Sequence, residues 1–564
     1  MSVLLEEADV VIGNYNHVFD AQTRELTNTV LDENTFVIVD EAHRLEERVR
    51  GLLSDTIGRQ SLRQARNDLD LLFRYASQSE ENREQADARL ADYDVRLDSV
   101  EQAREFYADL IDWFDGYIDA YLTDEVDGYD QAFGQTALPE EDLELPLRNP
   151  TETESDDLTE WARGVGYQDA FCRQLGTIGA AVEETIDEID PDRTCICTAV
   201  GTLMSQWWER DHTAYFREIT LEYAPKDRTD PAYPWEHVYT PALEMYNCMP
   251  AEQLQAVFDS LGGGILMSAT LEPFDVFEEV VGLDELEIAE NRRPSRPIIE
   301  RTYELPFPEG NRASWIVDAT PFTLRNRGDP TLDSQNDTRE EYAYALRQIA
   351  ESPGNSLIAM PSYREAAWAA DRLREMTDKP VLMDEPSSNE ATDALKQEFF
   401  AHDDSVLVTS TRGTLTKGVD YDGDKLHTCA VIGIPLVDIG SPRIQAVKHA
   451  YADVFGEENA FEYALTIPAV RRARQAIGRV IRSPDEHGVR ILADHRYTEH
   501  AHRNSVYEYL PEGERDEFVR MTPMFLDSQI EQFWTADIRT RIESDQSRKS
   551  GSIRFSSRSR STCA

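Results

Sequence analysis

Short, almost wholly apolar runs recur along this chain, and they constrain its fold more than any other feature. Asp9-Val-Val-Ile-Gly13, Thr35-Phe-Val-Ile-Val39, Ile265-Leu-Met267, Ser356-Leu-Ile-Ala359, Ser405-Val-Leu-Val-Thr409, Ala430-Val-Ile-Gly433 and Val489-Arg-Ile-Leu-Ala493 are too short for buried helices and do not alternate. Runs of that kind are strands covered on both faces, the habit of parallel sheets joined by helical crossovers. Helical segments separate those after residue 306, which predicts an α/β class with parallel sheets.

A different texture interrupts the first α/β unit. Residues 59–115 contain neither Gly nor Pro. Leu62, Ala65, Leu69, Leu72, Phe73 and Ala76 keep helical spacing, as do Val100, Ala103, Tyr107, Leu110, Phe114 and Tyr117. The expected division is a first unit over 1–51, a helical insertion over 52–195 with an acidic, Pro-containing loop near 139–157, the return of the first unit over 196–303, a second unit over 304–545, and a tail over 546–564. That tail carries five basic and no acidic side chains, and it is read as disordered.

Charge narrows the setting. The 564 residues hold 56 Lys plus Arg against 108 Asp plus Glu, a net charge of −52, yet 40% are hydrophobic. Only seven of the basic residues are Lys. An acidic, Lys-poor, core-competent chain fits the cytosol of an extreme halophile, where molar salt screens self-repulsion within about 3 Å. No apolar run is long enough to span a membrane and no secretory signal opens the sequence, so the expected location is cytoplasmic. Six Cys in a chain this long exclude a disulfide scaffold.

Five blocks carry the chemistry. Phe36-Val-Ile-Val-Asp40-Glu41-Ala42-His43 is a strand ending in two carboxylates, the arrangement that nucleotide hydrolysis needs: one group for Mg²⁺ and one to activate water. Ser268-Ala-Thr270 follows the run at 265–267. Met360-Pro-Ser-Tyr363 closes the strand at 356–359. Thr409-Ser-Thr411-Arg412-Gly413 precedes Thr416-Lys-Gly418-Val-Asp420, and Gln475-Ala-Ile-Gly478-Arg479-Val-Ile-Arg482 falls on an expected helix. Each is weak alone; their order on two α/β units is not.

With Asn14-Tyr15, Asn247-Cys-Met-Pro250, Ile434-Pro-Leu-Val and Ser441-Pro-Arg443 added, the sequence resembles the XPD/DinG family of superfamily 2 iron–sulfur DNA helicases. The resemblance implies two RecA-like motor domains, the first incomplete, with an Arch-like insertion. It implies ATP and Mg²⁺ as cofactors, single-stranded or forked DNA as partner, and translocation 5′ to 3′ in repair or replication. By the same resemblance Asp40 holds Mg²⁺ and Glu41 is the base, with His43 linking nucleotide state to closure. Ser268 and Thr270 couple hydrolysis to movement. Gly418, Asp420, Gln475, Arg479 and Arg482 face the nucleotide, and Thr411 and Arg412 face DNA.

Two family features have no counterpart. The sequence has no G-x-x-x-x-G-K-[ST], the loop whose amides and Lys cradle phosphates. All six Cys follow Asp40, whereas the family's four 4Fe–4S ligands precede that strand, so buried inert thiols are expected. A further polypeptide upstream is one way to supply the loop. The rival expectation is a catalytically inactive remnant that binds DNA or acts as a scaffold. Trp207, Trp208 and Tyr363 are aromatic candidates for base stacking that core packing explains as well.

Overall fold

The computed structural model describes residues 8–536 except 28–30, 131–133, 227–230, 288–295, 304–306, 331–335, 386–387, 418, 420, 422 and 424. The tail at 546–564 lies outside the described residues.

The second unit carries the expected parallel sheet. Its strands are β7 (Arg312–Val317), β8 (Ser356–Met360), β9 (Val381–Met383), β10 (Val406–Ser410), β11 (Thr428–Ile432), β12 (Gly488–Ala493) and β13 (Val519–Met521), ordered β13-β7-β12-β11-β8-β10-β9 and parallel at every pairing. Alternate residues feed two cores. Ile358, Met360, Val408, Ala430, Ile432 and Ile491 pack on the helices Asp337–Ala350 and Tyr363–Met376. Leu357, Ala359, Leu407, Val431 and Leu492 pack on the helix Ile467–Ile477. Burial on both faces is why these strands read as unbroken apolar runs.

The first unit has only two described strands, β1 (Phe36–Val39) and β6 (Gly263–Leu266), paired in parallel with Val37 opposite Gly264. Val37 and Val39 face a core with Leu45, Val49, Leu254 and Phe258. The opposite face is open: Phe36 and Ile38 are 59% and 62% exposed, and Ile265 and Met267 are 48% and 44% exposed. The strand expected at 9–13 does not form. A strand exists only where a neighbour accepts its hydrogen bonds, and Val10, Val11 and Ile12 are left exposed.

The insertion is larger and less helical than expected. Four antiparallel strands, β2 (Asp55–Gly58), β3 (Leu143–Pro146), β4 (Tyr215–Tyr223) and β5 (Tyr239–Asn247), form a sheet ordered β2-β5-β4-β3 beneath the helices Arg59–Gln78, Leu97–Glu125, Leu175–Ile189 and Cys197–Glu209. One core joins Leu62 and Phe106 to Trp207, Ile219 and Met245. Residues 196–247 therefore belong to the insertion, not to the returning first unit, and the boundary expected at 195 moves to the end of β5. The last two helices approach closely. A Cβ on Gly179 would sit 2.1 Å from the Cys197 carbonyl oxygen, and one on Gly201 2.3 Å from that of Leu175.

All three units meet at the helix Pro442–Phe455. Ala446, Val447, Ala450 and Tyr451 pack on Phe216 of the insertion, on Cys248 just after it, and on Val276 and Val280 of the first unit. At its N-terminus Arg443 donates to Glu218 (2.6 Å) and Glu244 (2.9 Å), and lies 3.8 Å from Glu144. Ser441 donates to Glu144 at 2.5 Å.

One guanidinium faces three carboxylates and cannot neutralise them all. Burial, reinforced by Glu144 and Glu244 and only partly offset by Arg443, pushes the Glu218 carboxyl up to about 8. The folded chain then keeps a proton that the unfolded chain releases above about pH 4.3. This contribution to stability is complete below that pH and is lost as pH rises through 8. Denaturant unfolding from pH 5 to 9 should show Glu218→Gln losing less stability with rising pH than the unaltered protein; parallel profiles would contradict the assignment.

Candidate nucleotide site between the motor units

The acidic pair sits where a parallel sheet presents its carboxyl ends, the usual place for ligands in such folds. Asp40 follows β1 directly, and its Oδ1 accepts the Glu41 amide at 2.9 Å. Glu41 adopts a left-handed conformation, φ 51°, which turns the chain into the short helix Ala42–Arg44. Non-glycine residues there cost about 1 kcal/mol or more. The turn is held by the Tyr15 hydroxyl, which donates to the carbonyls of Asp40 (2.7 Å) and Glu41 (3.0 Å), and by the Ala42 amide on the Met267 carbonyl (3.0 Å). Both carboxylates are exposed. Asp40, a hard oxygen donor at a strand end, suits Mg²⁺.

A hydrogen-bonded path leads from this turn across to the second unit. His43 Nδ1 lies 3.2 Å from Glu41 Oε2 and 2.7 Å from Ser268 Oγ. Ser268 Oγ accepts the Thr270 amide at 3.2 Å, and Gln475 Nε2 donates to Thr270 Oγ1 at 3.1 Å. Four sequence-selected residues, His43, Ser268, Thr270 and Gln475, are thus brought into one chain of contacts.

Arginines of the same helix join them. Arg471 donates to the Leu271 carbonyl at 2.6 Å, and Arg474 bonds Glu514 at 3.0 Å and reaches the Ala269 carbonyl at 3.5 Å. Burial pulls Arg471 down to about 10. Sequence reasoning passed over Arg471 and Arg474, although residues 471, 474 and 475 share one helical face.

The remaining candidates are placed differently. The helix ends at Ile477, with Gly478 as its cap, so Arg479 and Arg482 lie beyond it rather than on it. Arg479 donates to the carbonyls of Thr416 (2.9 Å) and Val419 (2.6 Å), bracing the loop after β10. Arg482 is exposed and its amide bonds Glu486. Gly418 and Asp420 lie outside the described residues. Thr411 is buried, whereas Arg412 is exposed and reaches the Leu436 carbonyl at 3.4 Å. Trp207 and Trp208 are core residues, Trp207 donating to Asp156 at 3.1 Å; Tyr363 is half-buried.

Comparison with known proteins fits this order of parts. A family model named DEAD_2 matches residues 1–62, and one for a helicase C-terminal domain matches residues 345–513. The XPD helicase subunit of general transcription and DNA repair factor IIH from Schizosaccharomyces pombe is 22% identical over 95% of this chain and 69% of its own length. The Arabidopsis thaliana subunit is 23% identical over 92% and 68%. The chain is thus similar over most of its length to XPD helicase subunits and carries matches to both helicase family models.

Among solved structures, an XPD helicase matches at 16% identity and TM-score 0.49, covering 92% of this chain and 74% of that one. Xpd4 of S. tokodaii matches at 14% and 0.49, covering 93% and 84%. No helix among the described residues is long and apolar enough to cross a membrane.

The family's cluster does not fit these residues. Cys172, Cys195, Cys197, Cys248 and Cys429 are buried and free, and among the described residues only Cys195 and Cys197 converge with a third ligand-type side chain, Asp68. Two thiolates cannot replace the four a 4Fe–4S cluster requires.

Ser268 Oγ is shared by His43 and the Thr270 amide, so Ser268→Ala should lower unfolding free energy by about 1–2 kcal/mol, read by denaturant titration. A loss under about 0.3 kcal/mol would mean the path contributes nothing to the resting structure.

Proposed function

We propose that the chain is the motor of an ATP-dependent DNA helicase that translocates on single-stranded DNA, 5′ to 3′, in repair or replication. The observation that supports it most is the path from Glu41 through His43, Ser268 and Thr270 to Gln475, because coupling needs a physical link between the hydrolytic turn and the second motor unit.

In this reading ATP with Mg²⁺ supplies the scissile phosphoryl group and a cation that offsets its charge. Asp40 holds the metal and Glu41 orients and deprotonates the attacking water. His43 senses the state of Glu41 and passes it to Ser268. Gly418, Asp420, Gln475, Arg479 and Arg482 close on the phosphates from the second unit, the arginines stabilising equatorial oxygens. Thr411 and Arg412 follow the DNA backbone. At molar salt counterion release adds little, so DNA affinity has to come from hydrogen bonds and stacking.

The phosphate loop is the missing part. The exposed apolar face of Phe36, Ile38, Ile265 and Met267 supports completion of this sheet by a further polypeptide that brings the loop, since parallel sheets are covered on both faces. The absent loop equally favours a second reading, a DNA-binding scaffold that no longer hydrolyses ATP.

DNA-stimulated ATPase in molar KCl separates the two. The helicase reading expects hydrolysis that falls at least about 100-fold in Glu41→Gln, the usual worth of a general base. A folded chain that binds single-stranded DNA without hydrolysing ATP would make the scaffold reading correct.

A further inference from the structure

Deep in the insertion, far along the chain from the acidic turn, lies a cluster that the motor reading does not use. Asp68, on the helix Arg59–Gln78, is fully buried. Cys195 and Cys197 flank the start of the helix Cys197–Glu209 and are 8% and 2% exposed. The two Sγ atoms and a carboxylate oxygen of Asp68 all lie within 4.8 Å of one another.

Each partner is held in place. Arg193 Nε donates to Asp68 Oδ1 at 2.8 Å, while Oδ2 accepts only a long 3.3 Å bond from the Ile196 amide. Gln64 ties the same loop to the helix through the Thr194 carbonyl at 3.2 Å. The Arg193 ion pair accounts for the buried carboxylate and Cys197 Sγ donates to the Ala65 carbonyl at 3.6 Å, but neither contact requires two thiols gathered beside the carboxylate.

We propose that Asp68, Cys195 and Cys197 form a binding site for a thiophilic divalent cation such as Zn²⁺. The donor set is soft, two sulfurs and one oxygen, which selects Zn²⁺ or Cd²⁺ over Mg²⁺ and Ca²⁺. Tetrahedral zinc with bonds of about 2.3 Å to sulfur needs sulfurs about 3.8 Å apart, within the spread of this cluster.

Charge also closes. Binding breaks two S–H bonds, forms two S–metal bonds and releases two protons to solvent; two thiolates neutralise the cation, while Arg193 already neutralises Asp68. The hydrogen bond with Cys195, burial and the nearby Asp68 push the Cys197 thiol up, so its proton leaves only as the metal–sulfur bond forms. Three protein ligands leave one coordination position for water, and the partly exposed Arg193 side chain, 34% accessible, marks the way in. The ion would fasten the loop before Cys197 to the helix Arg59–Gln78, so its role is to staple the insertion.

The test uses the full chain, reduced and stripped of metal, titrated with Cd²⁺. A thiolate-to-cadmium charge-transfer band saturating at one ion per chain is expected, together with a rise in melting temperature of the unaltered protein. Cys195→Ser and Cys197→Ser should each abolish the band, and Cys429→Ala should leave it intact. No band in excess Cd²⁺, a band that survives both serine variants, or a Cys195–Cys197 disulfide in protein isolated without reductant would each overturn the proposal. The unaltered titration decides the matter even if a variant misfolds.

Discussion

The three units are tied together at one half-buried guanidinium. Arg443 reaches from the second motor unit into the sheet of the insertion and lies among Glu218, Glu244 and Glu144. Around it the helix Pro442–Phe455 touches all three units. Remove that contact and the insertion keeps no charged anchor there, and the fully buried Glu218 carboxyl loses the hydrogen bond that Arg443 donates. Leaving a buried acceptor unsatisfied costs about 1–3 kcal/mol, more than a surface bridge contributes.

The same device recurs. Arg59 lies between Asp115 and Glu236, Arg339 bonds Glu365 at 3.0 Å, Arg490 pairs with Glu517, and Arg496 bonds Asp494 at 2.8 Å. All four arginines are buried. Arginine suits these positions because its planar fork holds several acceptors at fixed angles and is less costly to desolvate than an ammonium. A chain with few lysines has thus placed part of its positive charge inside, where salt screens it less.

What the sequence disclosed followed from burial. β8, β10, β11 and β12 are covered on both faces and were legible as apolar runs, and the long helices of the insertion were legible from spacing. β4 and β5 carry no unbroken apolar run, so nothing in the sequence marked them as strands; the pairing of β5 with β2 and β4 places them in the insertion's sheet. Residues 9–13 failed for the opposite reason, a strand-like composition with no adjoining edge. At the site, motif order brought out His43, Ser268, Thr270 and Gln475. It passed over Arg471 and Arg474, whose contacts with the first unit are backbone carbonyls that carry no sequence signature.

The insertion enters through β2 and leaves through β5, and these two strands are hydrogen-bonded neighbours from Asp55 opposite Met245 to Gly58 opposite Ala242. Just before β2 the chain comes from the helix Leu45–Leu53, which follows the acidic turn; just after β5 it passes through the helix Ala251–Ser260 to β6 and Ser268. Both leads of the module therefore end on the two sides of the His43–Ser268 contact. The pair of strands has the position of a fulcrum: a displacement of it would reach the acidic turn through the helix Leu45–Leu53 and Ser268 through the helix Ala251–Ser260, with only that one helix on either side to absorb it.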